Sequence, residues 1–294
     1  MGKNDDFIPV AMPVPIYAST APSSPSAPYA PSDPNSPIAP TAPPQQGLQT
    51  QQSSFFIATT HTSNNQLSQF QDNQLRSQGY TVGLRNEILL FTKTFSLRFW
   101  VVDNSGSMAT ADGNRFVNSK TGLKMVSCTR WKEIVETVEY HAQLAALLHC
   151  PTTFRLLNNP GGYVGSQEFS IGRAGAEMVD RDLQVARETL ARSSPMGVTP
   201  LAKHVRDIRE EIHALAPSLF QQGRKIAIIL ATDGLPTNEY GIAGREANDE
   251  FTTALRSLEG LPVWIVVRLC TDEANIVQFY NDIDAQLELS IEGE

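Results

Sequence analysis

The sequence predicts an α/β domain: a doubly wound, mostly parallel sheet with one antiparallel edge strand and helices on both faces. Three observations carry that prediction. Two apolar runs, 96–102 and 225–231, each lead into an aspartate, Asp103 and Asp233, as buried strands do where a parallel sheet meets its loops. From residue 95 onward, strand-like runs alternate with segments of helical period. The runs 153–158 and 166–171 are joined by Asn158-Asn159-Pro160-Gly161-Gly162, a turn cluster that makes one antiparallel pair at the sheet edge.

In chain order, the first 60 residues are rich in Pro, Ala, Ser, Thr and Gln and poor in large apolar groups. Such a tail cannot bury enough surface to offset its chain entropy and is expected to be disordered. Residues 61–94 form a helical extension packed on the core. Leu67, Phe70 and Leu75 make one stripe, Gly79 breaks it, and Leu84, Ile88, Leu89 and Phe91 make another. The α/β domain then occupies 95–294, with strands expected at 96–102, 153–158, 166–171, 225–231 and 262–268. Helices are expected at 131–149, 175–192, 200–215, 244–259 and 273–280. In the first of these, Ile134, Val138, Leu144 and Leu148 recur at helical spacing behind Trp131, and Pro200 is placed at the first position of the helix it opens. A sixth strand fits 285–291, which leaves no sequence for a final helix.

The chemistry concentrates at three junctions. Phe99-Trp100-Val101-Val102-Asp103-Asn104-Ser105-Gly106-Ser107-Met108 ends a strand in one carboxylate and two hydroxyls within a single tight loop. Hard divalent cations favour oxygen donors of this kind. Ser194-Pro195-Met196-Gly197-Val198-Thr199-Pro200-Leu201 presents Thr199 just before a helix, and Thr232-Asp233-Gly234 closes another buried strand. In an open parallel sheet, ligands bind outside the carboxyl ends of the strands, where all three segments can converge.

With these motifs, residues 95 to 290 resemble the von Willebrand factor A domain family. Its signature is Asp-x-Ser-x-Ser, a Thr in a Gly-x-Thr-Pro loop, and a Thr-Asp-Gly after a central strand. The resemblance implies a metal-ion-dependent adhesion site made of Asp103, Ser105, Ser107, Thr199 and Asp233, holding Mg2+ or Mn2+. By the same resemblance Ser105 and Ser107 ligate directly. Thr199 and Asp233 ligate directly or through water, Asp103 acts through water and the serines, and one position stays open for a partner's carboxylate.

Composition narrows the functional class. Lys and Arg number 23 against 31 Asp and Glu, a net charge of −8 that argues against a nucleic-acid or anionic-membrane binder. No run approaches the ~20 apolar residues of a membrane span. The first residues lack the apolar core of a secretory signal, and Asp6 stands where a myristoylation site needs Ser or Thr. Cys128, Cys150 and Cys270 are odd in number and widely spaced, as in a reduced, cytoplasmic protein. His141, His149, His204 and His213 have no metal-binding spacing and read as surface or core residues.

Two further segments bear on partners. An insert at 109–130 lies between the first metal loop and the first long helix, and its alternating Phe116, Val117, Met125 and Val126 suggest a hairpin or flap. It holds Arg115, Lys120, Lys124 and Arg130, which read either as a lid selecting an acidic partner or as a solvated loop. In the tail, Pro25-Ser26-Ala27-Pro28 and Pro40-Thr41-Ala42-Pro43 match the Pro-Ser/Thr-Ala-Pro peptides read by an ESCRT-I domain, or repeat by compositional bias. No nucleophile–base pairing or phosphate-binding glycine loop is recognisable. The expected function is therefore not enzymatic: a cation-dependent protein–protein interaction module, an adaptor or assembly factor. A metal-independent scaffold recruited through the tail, or a regulatory subunit of an ATPase complex, is the alternative.

Overall fold

The computed structural model describes residues 66–119 and 122–287. The proline-rich tail with Pro25, Ser26, Ala27, Pro28, Pro40, Thr41, Ala42 and Pro43 lies outside the described residues, as do Lys120 and most of the expected strand at 285–291.

The central element is β1 (Phe95–Val102), whose two faces carry different cores. Leu97, Phe99 and Val101 point to one side and Trp100 and Val102 to the other, the period-two alternation of a strand buried on both faces. On the first side pack α5 (Leu201–Gln222), α6 (Arg245–Arg256) and α7 (Ala274–Gln286), through Val205, Ile208, Ile212, Phe251, Leu255 and Tyr280. On the second pack α3 (Arg130–Leu148) and α4 (Val179–Arg192), through Trp131, Ile134, Val138, Ala186 and Leu190. The remaining strands are β4 (Thr152–Leu156), β5 (Glu168–Ile171), β6 (Lys225–Thr232) and β7 (Val263–Leu269), and the sheet order is β5-β4-β1-β6-β7. All neighbours are parallel except β4–β5, with Arg155 opposite Glu168. This is the doubly wound, mostly parallel sheet with an antiparallel edge expected from the sequence.

Since β1 is flanked by β4 on one side and β6 on the other, the chain leaves it in both directions. The carboxyl ends of β1 and β6 therefore border the crevice of a topological switch point. The opposite end of the sheet is closed by α1 (Gln69–Ser77) and α2 (Val82–Thr94). Ser68 and Gln71 form a capping box on α1, and Thr81 caps α2. Gln71 Nε2 donates to the Leu147 carbonyl (2.9 Å), Arg224 Nε to that of Lys93 (3.0 Å), and Phe95 stacks on Trp264 with centroids 5.1 Å apart. The extension thus sits away from the crevice.

The segment between β1 and α3 forms an antiparallel hairpin, β2 (Gly113–Ser119) and β3 (Gly122–Cys128), with Arg115 opposite Val126. It is held to α3 by Asn114 N to Glu133 Oε2 (2.9 Å) and by an Arg115–Glu136 ion pair (2.7 Å).

Three sequence expectations are corrected. The helix expected at 273–280 is longer: α7 runs from Ala274 to Gln286, so residues 285–286 are its last turn rather than the start of a sixth strand. Ile276, Tyr280, Ile283 and Leu287 are buried at helical spacing, so the core holds this segment in a helix. Next, α5 does not stop near residue 215 but runs through Pro217 to Gln222. The missing hydrogen bond at Pro217 is outweighed by burial of Ala216 and Leu219 on the sheet. Lastly, Pro200 stands at the N-cap of α5, one position before the helix proper.

Candidate metal site

The Asp103 N–H donates to the Ala231 carbonyl (2.9 Å), extending the β1–β6 ladder one step past β1 and fixing where the side chain begins. That carboxylate is wholly buried. Its Oδ1 accepts the Ser105 N–H (2.8 Å) and its Oδ2 accepts the Thr232 hydroxyl (2.6 Å). Burial pushes its pKa up to about 6; the hydrogen bonds from Ser105 and Thr232 oppose the rise, and the charge of Asp233 adds to it. A short 3-10 turn, Gly106–Ala109, then brings the two serine hydroxyls together at 3.0 Å. The Ser107 hydroxyl donates to Asp233 Oδ1 (2.7 Å). Four of the five expected oxygen donors, from Asp103, Ser105, Ser107 and Asp233, thereby form one hydrogen-bonded chain across the ends of β1 and β6.

Thr199 lies on a separate loop, which is tied to the first at Gly197, two residues before it. The Gly106 N–H donates to the Gly197 carbonyl (3.3 Å), and the Thr199 backbone bonds Thr237 in both directions: N–H to Oγ1 at 3.0 Å, and carbonyl from the Thr237 N–H at 2.9 Å. Gly197 has a φ of +85°, and a Cβ there would collide with Asn158 Oδ1, so the loop needs glycine on both counts.

Two asparagines outside the expected set tie the loops together. Asn104, wholly buried, donates through Nδ2 to the Asn158 carbonyl (2.9 Å) and accepts the Asn158 N–H on Oδ1 (2.8 Å). Asn158 in turn donates to the Val198 carbonyl (2.7 Å) and accepts the Val198 N–H (3.1 Å). Asn104 occupies a variable place in the motif, and Asn158 reads as part of a turn. Only their pairing across 54 positions shows what they do. Thr232, Thr237 and Tyr280, whose hydroxyl donates to the Gly234 carbonyl (3.0 Å), are likewise supports.

The expected partner-binding cations part company. Arg115 is held to Glu136, and Lys124 is exposed on β3. Arg130 does not lie on an outward-facing lid: it is buried at the first residue of α3, where three carboxylates hold it. Its Nη1 reaches Asp233 Oδ2 (3.1 Å), Nε and Nη2 grip both oxygens of Asp112 (2.8 and 2.6 Å), and Nη2 also meets Glu273 (3.1 Å). The hydrogen bond with Asp112, foremost among these contacts, raises the guanidinium's pKa.

The donor set is all oxygen: two buried carboxylates and three hydroxyls. Among the described residues no group of three or more His, Cys, Asp or Glu side chains is arranged to hold a metal, so hydroxyls and water would have to complete any coordination. The charges fit a cation. Arg130 meets three carboxylates, of Asp233, Asp112 and Glu273, and Asp103 adds a fourth acid with no guanidinium contact of its own; Asp103 and Asp233 are buried. A groove of about 440 Å³ runs between Val198, Pro200, Lys203 and Glu239 on one side and Arg155, Asn158, Gln167 and Glu168 on the other, and none of the five expected donors lines it. His204 is a core residue here, its Nε2 on the Leu157 carbonyl (3.0 Å).

A scan of protein-family models finds none that matches the chain, and a search of curated proteins finds no match.

Proposed function

We propose that this chain is a divalent-cation-dependent protein-interaction module of the von Willebrand factor A type. In this reading Asp103, Ser105, Ser107, Thr199 and Asp233 hold Mg2+ or Mn2+, and a carboxylate of a protein partner completes the coordination. The supporting observation is the hydrogen-bonded chain from Asp103 through Ser105 and Ser107 to Asp233, set at a topological switch point of the sheet. The cation supplies a Lewis-acidic contact for an acidic side chain. The protein's part is to hold five oxygens rigidly and to leave one side accessible through exposed Ser107.

The role is binding rather than turnover: beside the oxygen cluster, Asp112 and Glu273 are committed to Arg130, so neither is placed as a general base. No helix among the described residues is long and apolar enough to cross a membrane. The reading of the module as acting inside the cell rests on its three widely spaced cysteines. The test is titration of a peptide containing Asp and Glu into the full chain with Mg2+ and again with chelator. Binding that vanishes in chelator and in Thr199→Ala supports the reading. Binding indifferent to both makes the chain a metal-independent scaffold and overturns it.

A further inference from the structure

We propose that Arg130 is a built-in counter-cation that sets how tightly the site binds its divalent ion. This rests on the metal-site reading above. The guanidinium is buried at the start of α3 and meets the same carboxylate, Asp233, that would face the metal. Asp233 is shared between the two sides of the site: Oδ1 accepts from Ser107 (2.7 Å), and Oδ2 accepts from Arg130 (3.1 Å). A fixed positive charge this near a cation's ligand lowers the charge the carboxylate offers, and between the buried Arg130 and Asp233 side chains solvent screens that effect weakly.

The charge of Arg130 is itself moderated. Asp112, in the turn before β2, holds it with two hydrogen bonds, and Glu273, the N-cap of α7, adds a third contact. Both acids are half-exposed, whereas Asp233 is fully buried. Arg130 therefore does two things of opposite sign. It compensates Asp233 when no ion is bound, and it competes with the ion when one arrives. Asp112 and Glu273 set how strongly it competes.

The two roles separate by experiment. Were Arg130 only a brace for the loops, its removal would loosen the ligands and weaken cation binding. As a counter-cation, its neutralisation tightens binding. The full chain is titrated with Mg2+ and with Mn2+ by calorimetry, as wild type, Arg130→Gln, Arg130→Lys and Asp112→Asn, and melted in chelator. Arg130→Gln should bind each ion about tenfold more tightly or better, while melting lower in chelator, because its buried carboxylates then lack a counter-charge. Arg130→Lys keeps the charge and should bind like wild type. Asp112→Asn, at a half-exposed position, should bind several-fold more weakly because Arg130 is then less neutralised.

Weaker or unchanged binding in Arg130→Gln overturns the proposal while leaving the metal site standing. Should Arg130→Gln not fold, Asp112→Asn decides: binding as tight as wild type overturns the counter-cation. Absence of Mg2+ and Mn2+ binding in every variant removes the metal reading and this inference with it.

Discussion

Replacing Asp103 by an asparagine should remove a pH-dependent weakness that the structure builds into the ion-free protein. Burial raises the Asp103 carboxyl to about 6 from an ordinary 3.8. Between those values the folded chain keeps a proton that the unfolded chain has released, so stability falls as pH rises through this window and the loss is complete above about pH 6. Two units at about 1.36 kcal/mol each make the loss about 3 kcal/mol. The substituted amide cannot ionise, and its side-chain oxygen can still accept the Ser105 N–H. The assay is urea denaturation followed by tryptophan fluorescence, in chelator, from pH 4 to 7.5, with Trp100, Trp131 and Trp264 as reporters. The wild type should lose about 2.4 kcal/mol relative to Asp103→Asn across that range, the rest of the loss falling below pH 4. Saturating Mg2+ should then restore the wild type by about 2.7 kcal/mol at a hundred times its Kd, and the variant by much less. Parallel stability curves for the two proteins in chelator would refute the reasoning, since they would mean that ionised Asp103 is not penalised by its surroundings.

Other perturbations test how the loops are held. Gly197→Ala drives a Cβ into Asn158 Oδ1 at a φ of +85°, and should lower stability by about 1–3 kcal/mol and weaken Mg2+ binding together, read by urea melts and calorimetry. Tyr280→Phe removes the hydrogen bond from the last helix to the Gly234 carbonyl (3.0 Å) and should cost about 1 kcal/mol by thermal melting. Phe251→Ala, on the face opposite α3, should cost about 3–5 kcal/mol without changing the cation Kd in the protein that remains folded.

The sheet was legible because β6 and β7 are largely apolar runs, β1 ends in one, and the short, more polar β4 and β5 are marked by the turn cluster between them. β1 and β6 begin and end within a residue of where the runs 96–102 and 225–231 place them. The meeting of Asp103, Ser105, Ser107 and Asp233 was legible because a short motif fixes three of them and the end of a second buried strand supplies the fourth. Arg130 was not legible: its carboxylate partners lie 18, 103 and 143 positions away, and in sequence it is one more cation in a polar insert. Asn104 and Asn158 were hidden for the same reason, each looking locally like a turn former. The error at the end of α7 has a different origin. Leu287, Leu289 and Ile291 alternate like a strand, while Ile283 and Leu287 also continue a helical stripe, and the core selects the helix as far as Gln286.

The most direct test of the account is calorimetric titration of Mg2+ and Mn2+ into the full chain at neutral pH, beside Ser107→Ala. That variant removes one exposed hydroxyl and its hydrogen bond to Asp233 while leaving the buried Asp103 in place. Saturable binding of one ion per chain, lost or weakened at least about tenfold in Ser107→Ala, is the predicted result. Absence of binding at millimolar ion, or equal binding by both proteins, would contradict the claim that these five oxygens form a metal site.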